Sequence, residues 1–462
     1  MNLPEKFIEQ IQENIPDECD AFFDAIERPA SVSIRLNKNK AVDLEPHLRR
    51  VKWCSSGYYL AERVQFTFDP AFHSGKYYVQ DASSMIIQHI VSQICTAPVR
   101  YLDLCAAPGG KSSAAVDALP AGSLLVSNEI IGSRAQILKE NIIKWGLPCC
   151  VVTNNDSKTI GRLTHYFDVV AADVPCSGEG MFRKEDEAVA QWSPSLVSQC
   201  VARQHEIIDN IWNALRPNGY FIYSTCTYNR AENEEMIEYI CSKYAATSVD
   251  MKFPKEWNIH AGINTAHHCY RFMPHCTDGE GLFICVLHKS ESEPIKSCEL
   301  KIKKKAKDNK QDSKVIVPKE VKEWIITPEK CDFIVENEEI IAIRREYIDD
   351  VALLRNSLKV IYFGTHIATF KGRDTMPTQA LALSTELNAK AFCVNEVNYL
   401  TAIAYLRGEA ITIDADRGYC LITNESQHIG FVKNLGSRAN NLYPREWRIR
   451  SGYIPAVQPR AI

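Results

Sequence analysis

Arg100-Tyr-Leu-Asp-Leu-Cys-Ala-Ala-Pro-Gly-Gly-Lys-Ser112 runs from a short apolar strand through a proline–glycine turn toward a helix. Further strand candidates follow at Ser123 to Asn128, Cys150 to Thr153, Phe167 to Ala172 and Tyr220 to Ser224, after a first at Arg100 to Cys105, with segments of helical period between them. That alternation predicts an α/β domain with a largely parallel sheet. The clearest helix is Gln204 to Leu215, where Ile207, Ile208, Ile211, Trp212 and Leu215 share one face. Arg216, Pro217, Asn218 and Gly219 are expected to stop it and turn the chain into the last strand.

Gly109 and Gly110 let the backbone approach a ligand at a helix N-terminus. A glycine pair after a strand is weak by itself, so its partners decide. Glu129 closes the second strand candidate, Asp156 follows the third and Asp173 the fourth. Acids after successive strands line up along the carboxyl edge of the sheet, where open α/β sheets bind ligands, and Glu129 suits a pair of ribose hydroxyls. Any one of them alone reads as a helix N-cap; three in series read as a crevice. Gly110-Lys-Ser112 also ends like a phosphate-binding P-loop, and Val169 to Asp173 like a magnesium-binding strand. The first glycine of a P-loop, however, would fall at Cys105, and Ala106-Ala-Pro108 makes a tight turn in place of a triphosphate cradle.

Ala171-Ala-Asp-Val-Pro-Cys-Ser-Gly-Glu-Gly180 and Tyr223-Ser-Thr-Cys-Thr-Tyr228 each place a cysteine just past an apolar strand. A free buried cysteine is usually packing. Two at the ligand edge beside carboxylates suit covalent catalysis by a thiolate. An ordinary thiol is only about 3% thiolate at neutral pH, and Lys111 is the cation placed to raise that fraction. Spacing alone leaves Cys176 and Cys226 equivalent.

Cys105 to Lys111, Asp173-Val-Pro-Cys-Ser-Gly178 and Ser224-Thr-Cys-Thr227 stand in the order and spacing of the Nol/Nop/Sun family of RNA cytosine-carbon-5 methyltransferases. The sequence closely resembles that family, and within it the bacterial RsmF type. The likeness extends to Phe72 to Ser84, to Arg203-Gln204, and at the C-terminus to Ile429 to Lys433 and Asn441 to Arg448. It implies a Rossmann-like class I methyltransferase core, with S-adenosylmethionine held by Cys105, Ala106, Ala107, Pro108, Gly109, Gly110, Lys111, Glu129, Arg134, Asp156 and Asp173. It makes Cys226 the nucleophile and Cys176 a helper in releasing methylated RNA, with Lys111 and Asp173 completing the catalytic set. Carbon-5 of cytosine takes a methyl group only after a thiolate has added at carbon-6, and Asp173 suits the exocyclic amine or ring nitrogen of that base. The implied partner is 16S ribosomal RNA or the small subunit. Transfer RNA as substrate would share every catalytic residue, and an RNA-binding assembly factor would need none of them.

The rest of the chain fits around this core. The expected domains are 1–90, a small α+β RNA-binding subdomain; 91–290, the methyltransferase domain; 291–317, a lysine-rich linker holding Lys301, Lys303, Lys304, Lys305, Lys307 and Lys310; 318–395, an α+β domain; and 396–462, a PUA-like β-rich RNA-binding domain. Met181-Phe-Arg-Lys184 is expected to face RNA. In the last domain Lys433, Arg438, Arg445, Arg448 and Arg450 alternate with Phe431, Tyr443 and Trp447, a mixture that binds phosphates and stacks on bases; a basic surface over an aromatic core is the plainer reading. The 462 residues are 45% apolar with a net charge of -4, so a soluble protein with local basic patches is expected rather than a uniformly cationic one. Met1 to Phe23 lacks the pattern of a signal peptide and no apolar run approaches a membrane span, which points to a cytoplasmic monomer. The 17 cysteines are odd in number and form no Cys-x-x-Cys pair, so reduced thiols and no metal site are expected.

Overall fold

The strands at the centre are hydrophobic throughout because both faces of the sheet are covered. In the computed structural model, which describes residues 2–40, 48–291, 317–372 and 374–462, they are β1 (Arg100–Asp103), β2 (Leu124–Asn128), β3 (Cys150–Thr153), β4 (Phe167–Asp173), β5 (Leu215–Thr225), β6 (Leu282–Lys289) and β7 (Val360–Phe363). Their order in the sheet is β6-β5-β4-β1-β2-β3-β7, extended beyond β6 by Cys269–Phe272 and His260–Ala261, with Ala246–Ser248 also pairing β6. Neighbours from β5 across to β3 run parallel; β6 and β7 close the two sides antiparallel. Alternate residues face opposite layers. Tyr101, Leu125, Val152, Val169 and Ile222 pack with Ile86, Ile90, Leu138 and Ile142. Leu102, Val126, Val151, Val170 and Phe221 pack with Ile208, Ile211, Ile237 and Ile240. Strand order reverses at β1, so the carboxyl ends of β1, β2 and β4 border the crevice that this topology makes available to a ligand.

Around this core sit three smaller sheets. The N-terminal one has the order Arg49–Arg50, Gly57–Leu60, Val32–Leu36, Tyr77–Val79 and is flanked by helices Glu5–Asn14 and Cys19–Glu27. One of the C-terminal sheets is antiparallel (Cys331–Glu336, Glu339–Arg344, Thr365–Lys371, Asp374–Pro377). The last (Cys393–Glu396, Gly418–Asn424, Gln427–Asn434, Ala439–Asn441) begins with a parallel pair.

Several expectations need correction. The helix placed at Gln204 starts at Pro194, because Ser193 caps it by accepting from Leu196 N and Pro194 fixes its first turn, and it ends at Ile211. Arg216 to Gly219 lie within β5, with Asn218 at φ +60° absorbing the irregularity. β7 comes from the segment assigned to a separate α+β domain, yet it pairs with β3 of the core sheet. Phe182 is fully buried, and Arg183 is locked to Glu280 at 2.9 Å with both side chains nearly covered, so neither faces RNA as Met181 to Lys184 was expected to. Phe431 and Tyr443 are core residues; the plainer reading of the last domain applies to them. The described cysteines are all free thiols. The lysine-rich run at 301–310 lies outside the described residues. Among those described, no helix is long and apolar enough to cross a membrane.

The N-terminal sheet is pinned to the core by one fully buried cation. Arg35 donates through Nε to Gln80 Oε1 at 2.8 Å and pairs with Asp117, whose second oxygen accepts from Trp145 Nε1 at 2.9 Å. Its guanidinium also lies 4.5 Å from the centroid of the Trp145 ring. Removing one partner strands the other charge in an apolar interior. Arg35→Ala is therefore expected to lower unfolding stability by about 3–5 kcal/mol in urea denaturation, and a loss below about 1 kcal/mol would contradict this anchoring role.

Candidate active site

Asp173 and Ser224 are register partners at the ends of the parallel strands β4 and β5. The pleat puts both side chains over the carboxyl edge, and Ser224 Oγ donates to Asp173 Oδ1 at 2.7 Å. The other carboxylate oxygen accepts from Lys111 Nζ at 2.8 Å. Burial opposes the charge on Lys111, but Asp173, Cys226 and Asp103 outweigh it and hold the ammonium above the usual lysine range. The cation is therefore present at any pH near neutral.

The two loops leaving β4 and β5 bring Cys176 Sγ to 3.3 Å from Cys226 Sγ. Both are half-buried. The contact with Cys226, together with burial, holds the Cys176 thiol well above its ordinary value, so it keeps its proton. The Lys111 ammonium lies within electrostatic range of Cys226.

Two buried carboxylates tie these loops together. Glu179 accepts from the backbone N–H groups of Tyr228 and Asn229 at 2.6 and 2.9 Å and from Trp192 Nε1 at 3.1 Å. Glu232 accepts from Ser177 N at 3.0 Å and Gln204 Nε2 at 2.8 Å. The Asn229 amide bridges the pair, donating to Glu232 Oε1 at 2.7 Å and Glu179 Oε1 at 3.1 Å. Burial raises the Glu232 carboxyl above its ordinary range, against the pull of the bonds from Ser177, Asn229 and Gln204. Gly180 N also donates to Cys226 O at 2.9 Å, and a Cβ at Gly180 would sit only 2.9 Å from that same oxygen, so the crossing needs glycine. Glu179 lies inside a motif visible in the sequence; Asn229 and Glu232 do not, and no pattern in the sequence points to them.

The cofactor-edge residues separate into different roles. Gly109 has φ +112° and opens helix Gly110–Val116. A Cβ on Gly110 would lie 3.2 Å from the Tyr78 ring, so this glycine also makes room for the N-terminal sheet. Glu129 is buried; Oε1 accepts from Ile131 N at 2.9 Å, and Oε2 has Arg134 at 3.5 Å. Arg134 also donates to Ala107 O at 3.0 Å, bracing the loop. Asp156 is exposed and caps the short helix Ser157–Ile160 by accepting from Thr159 N at 2.6 Å, a bond that holds its carboxyl below the usual carboxylate range. For this acid the cap reading holds. Burial pushes the Cys105 thiol up, and its side chain packs half-buried against the core at the start of the loop. Asp103, overlooked in the sequence, is buried and raised to about 7 against the pull of its hydrogen bond from Ser112.

This geometry has recognisable relatives. Residues 97–288 match the family described as 16S rRNA methyltransferase RsmB/F, residues 3–82 the N-terminal domain of 16S rRNA methyltransferase RsmF, and residues 393–449 the methyltransferase RsmF PUA domain. The chain is 30% identical to ribosomal RNA small subunit methyltransferase F of Cronobacter sakazakii over 98% of its length and 97% of the relative's. It is 30% identical to the protein of the same name from Erwinia tasmaniensis, with 98% of each covered. Among solved structures, a methyltransferase homolog from Pyrococcus horikoshii aligns with TM-score 0.53 at 21% identity, covering 62% of this chain and 95% of that one. The structure of NSun6 from the same organism with SFG aligns with TM-score 0.52 at 16% identity over 62% of this chain and 98% of its own. These two establish the fold.

Glu179→Ala leaves two buried N–H groups of the Cys226 loop without an acceptor. It is expected to lower stability by about 2–4 kcal/mol in urea denaturation, and an unchanged midpoint would show that the tie does not hold the loops.

Proposed function

The chain belongs to the RsmB/F family of 16S ribosomal RNA methyltransferases, S-adenosylmethionine-dependent enzymes acting at carbon-5 of cytidine, and from that premise we propose that Cys226 is its nucleophile and Cys176 assists release. The observation that carries this reading is the placement of two sulfurs 3.3 Å apart on the loops beside the Lys111–Asp173 pair, and the family's Thr-Cys motif gives Cys226 the attacking role. The Cys226 thiolate adds to carbon-6 of the cytosine and makes carbon-5 electron-rich. S-adenosylmethionine, when bound, supplies an electrophilic methyl group. Once a base has taken the carbon-5 proton, the carbon–sulfur bond breaks and its electron pair returns to Cys226. The Cys176 S–H lies where it can hydrogen-bond to that departing thiolate. Asp173, fixed by Lys111 and Ser224, orients the amine or ring nitrogen of the base.

The residues present fit the cofactor. Glu129 Oε2, with Arg134 at 3.5 Å, has a further lone pair to accept from a ribose hydroxyl, and Ile130 and Ile131 beside it, exposed by 63% and 49%, offer an apolar face to a purine. The exposed Asp156 retains a second oxygen for the adenine side, and the loop from Cys105 to Lys111, braced by Arg134, approaches the amino-acid end. We infer a substrate in small-subunit ribosomal RNA, with the N-terminal and C-terminal domains adding contacts to its backbone, and a cytoplasmic protein working as a monomer. The name shared by the relatives supports the substrate.

Cys226→Ala is expected to lower methyl transfer to small-subunit RNA by more than about 10³-fold. Cys176→Ala should instead accumulate a covalent protein–RNA adduct, seen as a slow band on denaturing gels. Methyl transfer by Cys226→Ala, or an adduct that never forms with Cys176→Ala, would overturn the two assignments.

A further inference from the structure

Away from the methyl-transfer site, Glu18, His260, His275 and Cys276 each bring a ligand atom to within 4.8 Å of the others. They come from three separate segments. Glu18 precedes helix Cys19–Glu27, His260 lies on the outer strand His260–Ala261, and His275 and Cys276 lie in the loop after Cys269–Phe272. His275 Nε2 is 2.7 Å from Glu18 Oε2, His260 Nε2 is 3.0 Å from Cys276 Sγ and 3.5 Å from Glu18 Oε2, and Cys276 Sγ is 3.9 Å from Glu18 Oε2. A tetrahedral zinc ion with bonds of about 2.0–2.3 Å sets its ligand atoms about 3.3–3.8 Å apart. The observed separations bracket that range, so small side-chain rotations complete the tetrahedron.

The chemistry of the donors agrees. Two neutral imidazoles, a thiolate and a carboxylate carry two negative charges, which a divalent ion neutralises, and a mixed nitrogen, sulfur and oxygen set suits borderline-soft Zn²⁺. Among the described residues no lysine or arginine lies within ion-pair distance of Glu18. The His275 side chain is only 7% exposed, its Nδ1 has no hydrogen-bond partner, and its Nε2 is aimed into the cluster. We propose that these four residues bind one Zn²⁺ ion as a closed structural site that clamps the N-terminal helices to the methyltransferase domain. The clamp reaches the Cys226 loop. Phe22, on the helix that Glu18 precedes, packs edge-on against both His275 and Tyr228, with ring centroids 5.9 and 4.9 Å away. Cysteine spacing could not reveal such a site, because only one of its donors is a cysteine.

The test uses the full chain, reconstituted with Zn²⁺ or with Co²⁺ as a spectroscopic probe. About one zinc per chain should survive desalting, and the cobalt form should show the visible bands of a four-coordinate ion with a thiolate charge-transfer band. His275→Ala and Cys276→Ser should each weaken zinc binding by more than about 100-fold, beyond what loss of an outer-shell partner does. Glu18→Gln, at a half-exposed position whose substitution leaves the packing intact, should shift the cobalt bands and weaken binding. Chelator should lower the unfolding temperature of the wild type but not that of Cys276→Ser. A wild-type chain that retains no zinc and gives no four-coordinate cobalt spectrum overturns the proposal. Variants with unchanged zinc content and an unchanged cobalt spectrum also overturn it, because the ion would then sit on other thiols.

Discussion

Two carboxylates buried beneath the sheet edge, Glu179 and Glu232, make the site possible. Parallel strands deliver neighbouring chain ends about 4.8 Å apart, but nothing in a sheet dictates where the loops beyond them go. Here the loop after β4 ends its turn on Glu232 through Ser177 N, and the loop after β5 ends on Glu179 through Tyr228 N and Asn229 N. Glu179 itself belongs to the first loop, and Asn229 to the second, so each loop supplies a group that the other needs. The Asn229 amide between the acids spreads its two protons over both. Buried carboxylates of this kind are stable only while their donors are in place, which makes the arrangement nearly all-or-none.

The same interlock sets the electrostatics. It fixes the sulfurs close enough for Cys176 to retain its proton while Lys111, held by Asp173, sits within electrostatic reach of Cys226. The N-terminal subdomain contributes from behind. Arg35 anchors its sheet to the C-terminal end of the helix that carries Lys111, Tyr78 fills the space left by Gly110, and Phe7, Phe22, Phe182 and Tyr228 form a shared core under the loops. A change in how the N-terminal helices dock is therefore transmitted to the Cys226 loop through apolar contacts.

Much of this was legible in the sequence wherever function and local pattern coincide. The strand ends at Asp173 and Ser224, the glycine turn at Gly109 and the two cysteine motifs are local signals, and the structure places Lys111, Asp173, Cys176 and Cys226 together. What was not legible depends on partners distant in the chain. Glu232 looks like any helical acid until Ser177 and Gln204 are seen pointing at it. β7 reads as part of a separate domain, since pairing with β3 across more than two hundred positions leaves no local trace. Phe431 and Tyr443 have the composition of a stacking surface, and only burial shows them to be core. The helix beginning at Pro194 was a missed local signal, because the Ser193-Pro194 cap stands well before the apolar stripe that marks its middle.

Of the two adjacent thiols, Cys226 is the one proposed to make the covalent bond to RNA. The most direct measurement is peptide mapping by mass spectrometry of the adduct formed between the wild-type chain, S-adenosylmethionine and small-subunit RNA containing 5-fluorocytidine, whose fluorine blocks the proton-removal step. A nucleotide mass is expected on the peptide containing Cys226 and none on that containing Cys176; a nucleotide on Cys176 would contradict the assignment.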